Sequence, residues 1–107
     1  MVNKHRGEIA ATLDGRSWTL CLTLGALAEL EAAFEVENLS QLTNRIASGN
    51  LSARDMLLII GAGLRGGGHP LPDEEIVEMQ AEGGALGYAR IVAQLLKATF
   101  GEADETE

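Results

Sequence analysis

The first part of the chain alternates between apolar and polar positions, and a turn divides this pattern into two segments. Residues 8–13 and 16–22 flank Asp14-Gly15, a pair that readily adopts the positive φ angles of a two-residue type I′ turn. Pairing Leu13 with Arg16 gives an apolar face formed by Ile9, Ala11, Trp18 and Leu20. Because a lone two-stranded hairpin is marginally stable in water, we expect this face to pack on helices or on another chain.

After residue 22 the apolar spacing changes from two to about 3.6 residues, which indicates helices in the rest of the chain. Three polar side chains, Thr23, Asn38 and Ser52, stand where N-caps would satisfy the first amides of a helix. The expected helices cover residues 24–36, 39–48, 53–65, 73–81 and 85–100. The sequence therefore predicts an α+β fold, in which an N-terminal two-stranded antiparallel hairpin packs on a bundle of about five short helices.

The helix expected at residues 53–65 is apolar around most of its circumference, which predicts a central position in the core. Gly61 and Gly63 each lower its helix propensity by about 1 kcal/mol relative to alanine. We therefore expect another backbone to pack closely against this turn of the helix. Residues 66–72, Gly-Gly-Gly-His-Pro-Leu-Pro, predict a surface loop.

The length and charge of the chain limit its organisation and its partners. With 107 residues, of which 46% are hydrophobic, we expect a single domain over residues 1–100. Residues 101–107 carry four acids and predict a disordered acidic segment. A net charge of −8 disfavours binding to nucleic acid or to an anionic membrane surface.

The sequence also predicts the compartment. The start of the chain has no apolar run of the kind found in signal peptides, and no apolar stretch approaches the ~20 residues of a membrane span. The single cysteine, Cys21, has no partner for an intramolecular disulfide. We therefore expect a cytoplasmic protein in a reducing environment.

The residues that carry chemistry do not form a pattern typical of an enzyme. His5 and His69 fall in a terminus and a glycine loop, and Cys21 lies near no sequence-local base, which favours a structural thiol. Residues 61–68 are rich in glycine but follow a helix and lack the lysine of a phosphate-binding loop. We expect no catalytic, cofactor-binding or metal-binding residues and no enzymatic activity.

Five blocks of the sequence carry a family resemblance: Arg6–Glu8, Asp14-Gly15, Leu20–Glu31, Leu51–Asp55 and Gly61–Gly66. They resemble the small proteins encoded in the tail region of gene transfer agents, which are grouped with phage tail assembly chaperones and are sometimes labelled as tail tube protein. The resemblance covers about residues 4–100. One departure is Pro72, where the family pattern leads us to expect a serine that caps the next helix.

The resemblance implies an assembly chaperone that binds the tape-measure protein and keeps it soluble while the tail forms. The tail tube protein is a second candidate partner, and self-association stays open. The alternative function is a structural component of the tail tube or its end, and a small enzyme or ligand-binding domain is a third. A tube subunit usually needs a sheet of more than two strands, which favours the chaperone.

A chaperone for a helical client needs an apolar groove and a charged remainder. Met56 and Met79 suit an adaptable groove, although ordinary core packing is the competing interpretation. From the expectation of exposed apolar side chains, we predict a partner-binding surface that comprises Leu64, Arg65, His69, Leu71 and Met79.

Overall fold

The computed structural model describes residues 6–101, which form a two-stranded antiparallel hairpin and five helices. The strands are β1 (Glu8–Leu13) and β2 (Arg16–Cys21). The helices are α1 (Leu24–Phe34), α2 (Leu39–Ala47), α3 (Ala53–Gly66), α4 (Asp73–Ile76) and α5 (Gly84–Phe100). This arrangement confirms the predicted α+β class. Residues 102–107, which make up most of the expected acidic segment, lie outside the described residues.

The hairpin has the register that the sequence predicts. Asp14 and Gly15 both have positive φ angles, 55° and 74°, and Leu13 pairs with Arg16 across the turn. The apolar face packs on helices, because β2 contacts α3 and β1 contacts α5. Leu20 is completely buried and lies against Gly63 of α3.

The first three helices begin at the side chains that the sequence predicts as caps. The Thr23 hydroxyl and the Asn38 side-chain carbonyl each accept a hydrogen bond from the backbone N–H three residues ahead. Ser52 and Asp55 form a capping box, in which each side chain accepts from the other residue's backbone N–H at 3.0 Å. Helix α1 ends at Phe34, two residues earlier than expected, because Glu35 adopts a left-handed conformation.

The fourth helix is much shorter than the predicted span of residues 73–81. Helix α4 ends at Ile76, and the chain then turns so that Ala81 forms an isolated bridge with Leu13 at the end of β1. Asp14 completes this junction, since its N–H donates to the Gln80 carbonyl and its carboxylate accepts from the Gln80 N–H, both at 2.9 Å. These bonds to the hairpin take the place of further helical bonds. Pro72, the N-cap residue of α4, makes no side-chain capping hydrogen bond.

The close backbone contact of α3 lies at its end rather than at Gly61 and Gly63. A Cβ atom on Gly63 would meet the side chains of Leu95 and Leu20, and one on Gly61 would meet the tips of side chains near α4. By contrast, a Cβ on Gly66 would lie only 2.0 Å from the carbonyl oxygen of Cys21. A Cβ on Gly67 would likewise lie too close to the carbonyl oxygen of Thr19. The start of the predicted surface loop is therefore packed against β2.

Helix α3 occupies the centre of the core, as its apolar circumference predicts. It contacts β2, α1, α4 and α5. The largest completely buried side chains come from both strands and four helices, and they are Leu13, Leu20, Leu30, Leu42, Ile59, Leu64 and Leu95. Within residues 6–101, no helix has the length and hydropathy of a membrane span.

Candidate functional site

An apolar groove with a volume of about 340 Å³ lies between the first half of α3 and the segment that follows α4. Its walls are formed mainly by Met56, Leu57, Ile60, Val77, Met79 and Tyr88. Arg54 is the charged residue on the α3 wall. Val77 is 58% exposed. The groove therefore presents unburied apolar surface at its rim.

The end of α4 and the residues after it form one wall of this groove. Helix α4 ends at Ile76, and Val77 keeps helical dihedrals and donates its N–H to the Asp73 carbonyl at 2.9 Å. Ile76 and Met79 are buried, whereas Val77 faces solvent. The Tyr88 hydroxyl donates to the Met79 carbonyl at 2.5 Å and holds this wall against α5.

The segment that forms the second wall of the groove is strongly acidic. We call residues 73–78 the acidic arm, because four of its six residues are acids and none is basic. All four acidic residues are exposed. The arm also supplies the groove residues Ile76 and Val77. Apolar groove residues and exposed acids therefore belong to the same short segment.

Arg65 fixes the acidic arm to the rest of the domain. Its guanidinium forms an ion pair with Glu29 of α1 and a second ion pair with Asp73 at 3.2 Å. It also donates to the Leu71 carbonyl at 2.8 Å. The hydrogen bond to Glu29 is the largest cause that raises the pKa of Arg65, partial burial opposes it, and Asp73 adds to it. One side chain thus joins α1, α3 and the start of the arm.

The structure buries two of the five residues of the predicted partner-binding surface. The expected exposure of Leu64 and Met79 is wrong, since they are 0% and 8% exposed. Arg65, His69 and Leu71 are half-buried. Leu64 is enclosed because α3 is packed on several sides, whereas Met79 reaches the groove as part of its wall.

Sequence reasoning recognised Met56 and Met79 as groove candidates but missed Arg54, Val77 and Tyr88 as groove residues. Helical periodicity gives no sign of them, because the groove forms between segments that are distant in the sequence. The relevant signal was the paired glycines at 83 and 84, which have positive φ angles and follow the segment that pairs with the hairpin.

Cys21 and His69 occupy structural positions. The buried Cys21 thiol donates to the Arg6 carbonyl at 3.5 Å, and burial is the main cause that raises its pKa, with Glu8 adding to the effect and Arg6 opposing it. A protonated thiol is a poor nucleophile. His69 lies edge-on to Trp18, and His5 lies outside the described residues. Residues 6–101 contain no group of three or more His, Cys, Asp or Glu side chains arranged to hold a metal ion.

A protein-family model described as "Phage tail tube protein, GTA-gp10" matches residues 6–102 of the chain. The chain belongs to this family. The resemblance to tail-region proteins of gene transfer agents is thereby confirmed. Comparison with curated proteins and with solved structures gives no significant match. GTA-gp10 is a phage tail protein family and not a known enzyme family. Membership therefore indicates partners among the other tail components.

Proposed function

We propose that this tail protein is an assembly chaperone that binds the tape-measure protein of a gene transfer agent and keeps it soluble while the tail assembles. The apolar groove beside the acidic arm is the observation that supports this function. A helical client exposes apolar stripes before assembly, and a groove of this kind covers such a stripe. The net charge of −8 keeps the resulting complex soluble.

The groove walls suit a client whose side chains vary along its length. Met56 is half-buried and Met79 borders the same space, and the flexible thioether of methionine adapts to irregular partners. We include Arg65, His69 and Leu71, which are half-buried, in the proposed partner-binding surface, and Arg65 contacts the arm through Asp73. We infer that the chain acts by binding rather than by catalysis and that it works in the cytoplasm, where tails assemble.

Co-expression with the tape-measure protein tests this function. We expect the tape-measure protein to be soluble with the wild-type chain and largely insoluble without it. Val77→Asp should abolish most of this protection, because it places a charge in the groove at an exposed position that folding tolerates. Leu24→Asp is the matched control, since Leu24 is 78% exposed and does not line the groove. Equal solubility with the wild-type chain and with both folded variants would contradict the groove, and insolubility even with the wild-type chain would contradict the chaperone.

The alternative is a structural component of the tail tube or its end. The description of the family as a tail tube protein favours it. So does the outer edge of β1, where Ala81 pairs only with the terminal residue Leu13. Stoichiometric presence of the chain in purified particles would support this alternative, whereas a chaperone should be depleted from them.

A further inference from the structure

We propose that the groove binds one face of a partner helix whose apolar stripe is flanked by Lys or Arg on the side of the acidic arm. This inference rests on the proposed function and specifies which kind of tape-measure segment the chain recognises. The juxtaposition that carries it is an apolar groove and a run of acids on the same short segment.

The dimensions of the groove favour side chains from one helical face. One turn of a helix, about 10 Å wide with its side chains and about 5.4 Å long, occupies roughly 420 Å³, which is more than the groove's volume of about 340 Å³. A whole helix therefore cannot enter, but large apolar side chains one turn apart can. Such anchors recur at positions i, i+3, i+4 and i+7 of an amphipathic helix.

The charges around the groove are asymmetric and set the chemistry of the partner's flanks. Asp73 is paired with Arg65, while Glu74, Glu75 and Glu78 are exposed on either side of the groove residues Ile76 and Val77. A helix seated against the arm brings its flanking residues close to these carboxylates. Lysine and arginine there are attracted, whereas aspartate and glutamate are repelled.

The opposite wall of the groove carries a positive charge. Arg54 lines the α3 side of the groove and is exposed. A basic flank on that side of the helix would be repelled, so the favoured helix has its basic flank toward the arm and a neutral or acidic flank toward Arg54. The two walls thereby select the orientation of the helix as well as its composition.

Charge disfavours two other occupants. Residues 102–107 contain four acids, which the acidic arm repels. A second copy of the chain has the same net charge of −8, so two copies brought together at this rim repel one another. A basic amphipathic partner is not repelled by the acidic arm in either of these ways.

Binding of synthetic peptides to the full chain tests the inference. The probe is an 18-residue amphipathic helix with leucines at i, i+3, i+4 and i+7, lysines on one flank and glutamines on the other. Matched peptides replace the lysines by glutamate or scramble the order of the residues. We expect the lysine peptide to bind at least tenfold more tightly than either, and its affinity to fall as NaCl increases, since exposed charge pairs are screened.

Paired variants of the chain locate the interaction. Glu74→Gln with Glu78→Gln should weaken binding of the lysine peptide about fivefold, because it removes two exposed charges of the acidic arm. Glu35→Gln with Glu37→Gln removes two exposed charges between α1 and α2 and should leave the affinity within about twofold of wild type. Circular dichroism and urea unfolding confirm that both variants are folded.

The outcomes separate this inference from the proposed function. Equal affinity for the lysine and glutamate peptides would overturn the proposal that the partner helix has a basic flank. Equal losses of affinity in the two charge variants would do the same. Both results would count against it even where co-expression shows that the chain protects the tape-measure protein. A dimer in analytical ultracentrifugation that Val77→Asp dissociates would also overturn it, because a second copy would then occupy the groove. Failure of the co-expression test would instead overturn the proposed function.

Discussion

Trp18 and His69 meet edge to face, with ring centroids 4.9 Å apart and an interplanar angle of 83°. The Trp18 indole N–H donates to the Leu13 carbonyl at 3.1 Å, and the Arg16 guanidinium lies 4.7 Å from the indole ring centroid. Trp18 therefore joins the hairpin to the glycine-rich loop after α3. Within residues 6–101, the buried Nε2 atom of His69 has no hydrogen-bond partner, so His69 contributes mainly through its ring.

Replacement of His69 by alanine should lower the free energy of unfolding by about 1 kcal/mol, since it removes an edge-to-face aromatic contact. His69→Phe should retain most of the stability, because phenylalanine keeps a ring at this position and removes the unpartnered nitrogen. Urea unfolding followed by fluorescence measures both, since Trp18 is the only tryptophan. Equal destabilisation by alanine and phenylalanine would show that the ring contact is unimportant.

Gly66→Ala should destabilise the domain by more than about 2 kcal/mol. The added Cβ would lie 2.0 Å from the Cys21 carbonyl oxygen, and because this atom belongs to the backbone, α3 or β2 must move. Gly25→Ala is the matched control in α1, where the nearest atom is the Thr23 hydroxyl at 3.9 Å. It should stabilise by about 0.5–1 kcal/mol through helix propensity. Similar unfolding free energies for the two variants would contradict the close approach of α3 to β2.

Local sequence signals were sufficient for the hairpin and the helix starts. The Asp14-Gly15 turn fixes the register because its two positive φ angles leave one pairing, and that pairing buries the apolar face. Ser52 and Asp55 lie three residues apart and satisfy one another's backbone N–H groups without help from the rest of the chain. These features depend on neighbours in sequence, so the pattern predicts them.

Features that depend on distant residues were missed. After α4 the chain turns back to the hairpin, where Gln80 bonds to Asp14, 66 positions away in the sequence. Periodicity cannot distinguish Leu64, which is enclosed by other elements, from an apolar side chain left in solvent. The groove likewise lies between segments that are distant in the sequence, residues 53–60 and 76–79. The family was therefore recognisable from the sequence, whereas the candidate site required the fold.

Arg65→Lys should loosen the acidic arm. Lysine provides a single ammonium group in place of the planar fork that contacts Glu29, Asp73 and the Leu71 carbonyl. We expect a loss of about 1 kcal/mol, because both carboxylates are partly exposed and screened by solvent. Hydrogen exchange should become faster for the amides of residues 73–79.

Arg54→Lys is the control for this measurement, since Arg54 is exposed and the charge is unchanged. It should leave the exchange rates of residues 73–79 at their wild-type values. Unchanged exchange in Arg65→Lys as well would show that the arm is held by its apolar contacts alone.

Asp55 should make the stability of the domain depend on acid pH. The pKa of its carboxyl is lowered, first by the hydrogen bond from the Ser52 backbone N–H, against an opposing effect of burial, and then by Arg45. Arg45 donates to Asp55 at 3.0 Å. Because the pKa is lower in the folded than in the unfolded chain, the stabilisation is complete above the usual aspartate value of about 3.9 and is lost as the pH falls through the folded value.

Asp55→Asn should therefore be about 1 kcal/mol less stable than wild type at pH 7. An amide accepts weaker hydrogen bonds than a carboxylate, and it forms no ion pair with Arg45. The difference should shrink as the pH falls below about 3.9, because the carboxyl then binds a proton in the unfolded chain before it does so in the folded chain, and it should be lost once the folded carboxyl is protonated as well. Urea unfolding at a series of pH values measures it. Glu74→Gln, at an exposed position in the acidic arm, should differ little from wild type throughout. A constant difference between Asp55→Asn and wild type down to pH 2 would mean that packing, and not the charge of Asp55, stabilises the start of α3.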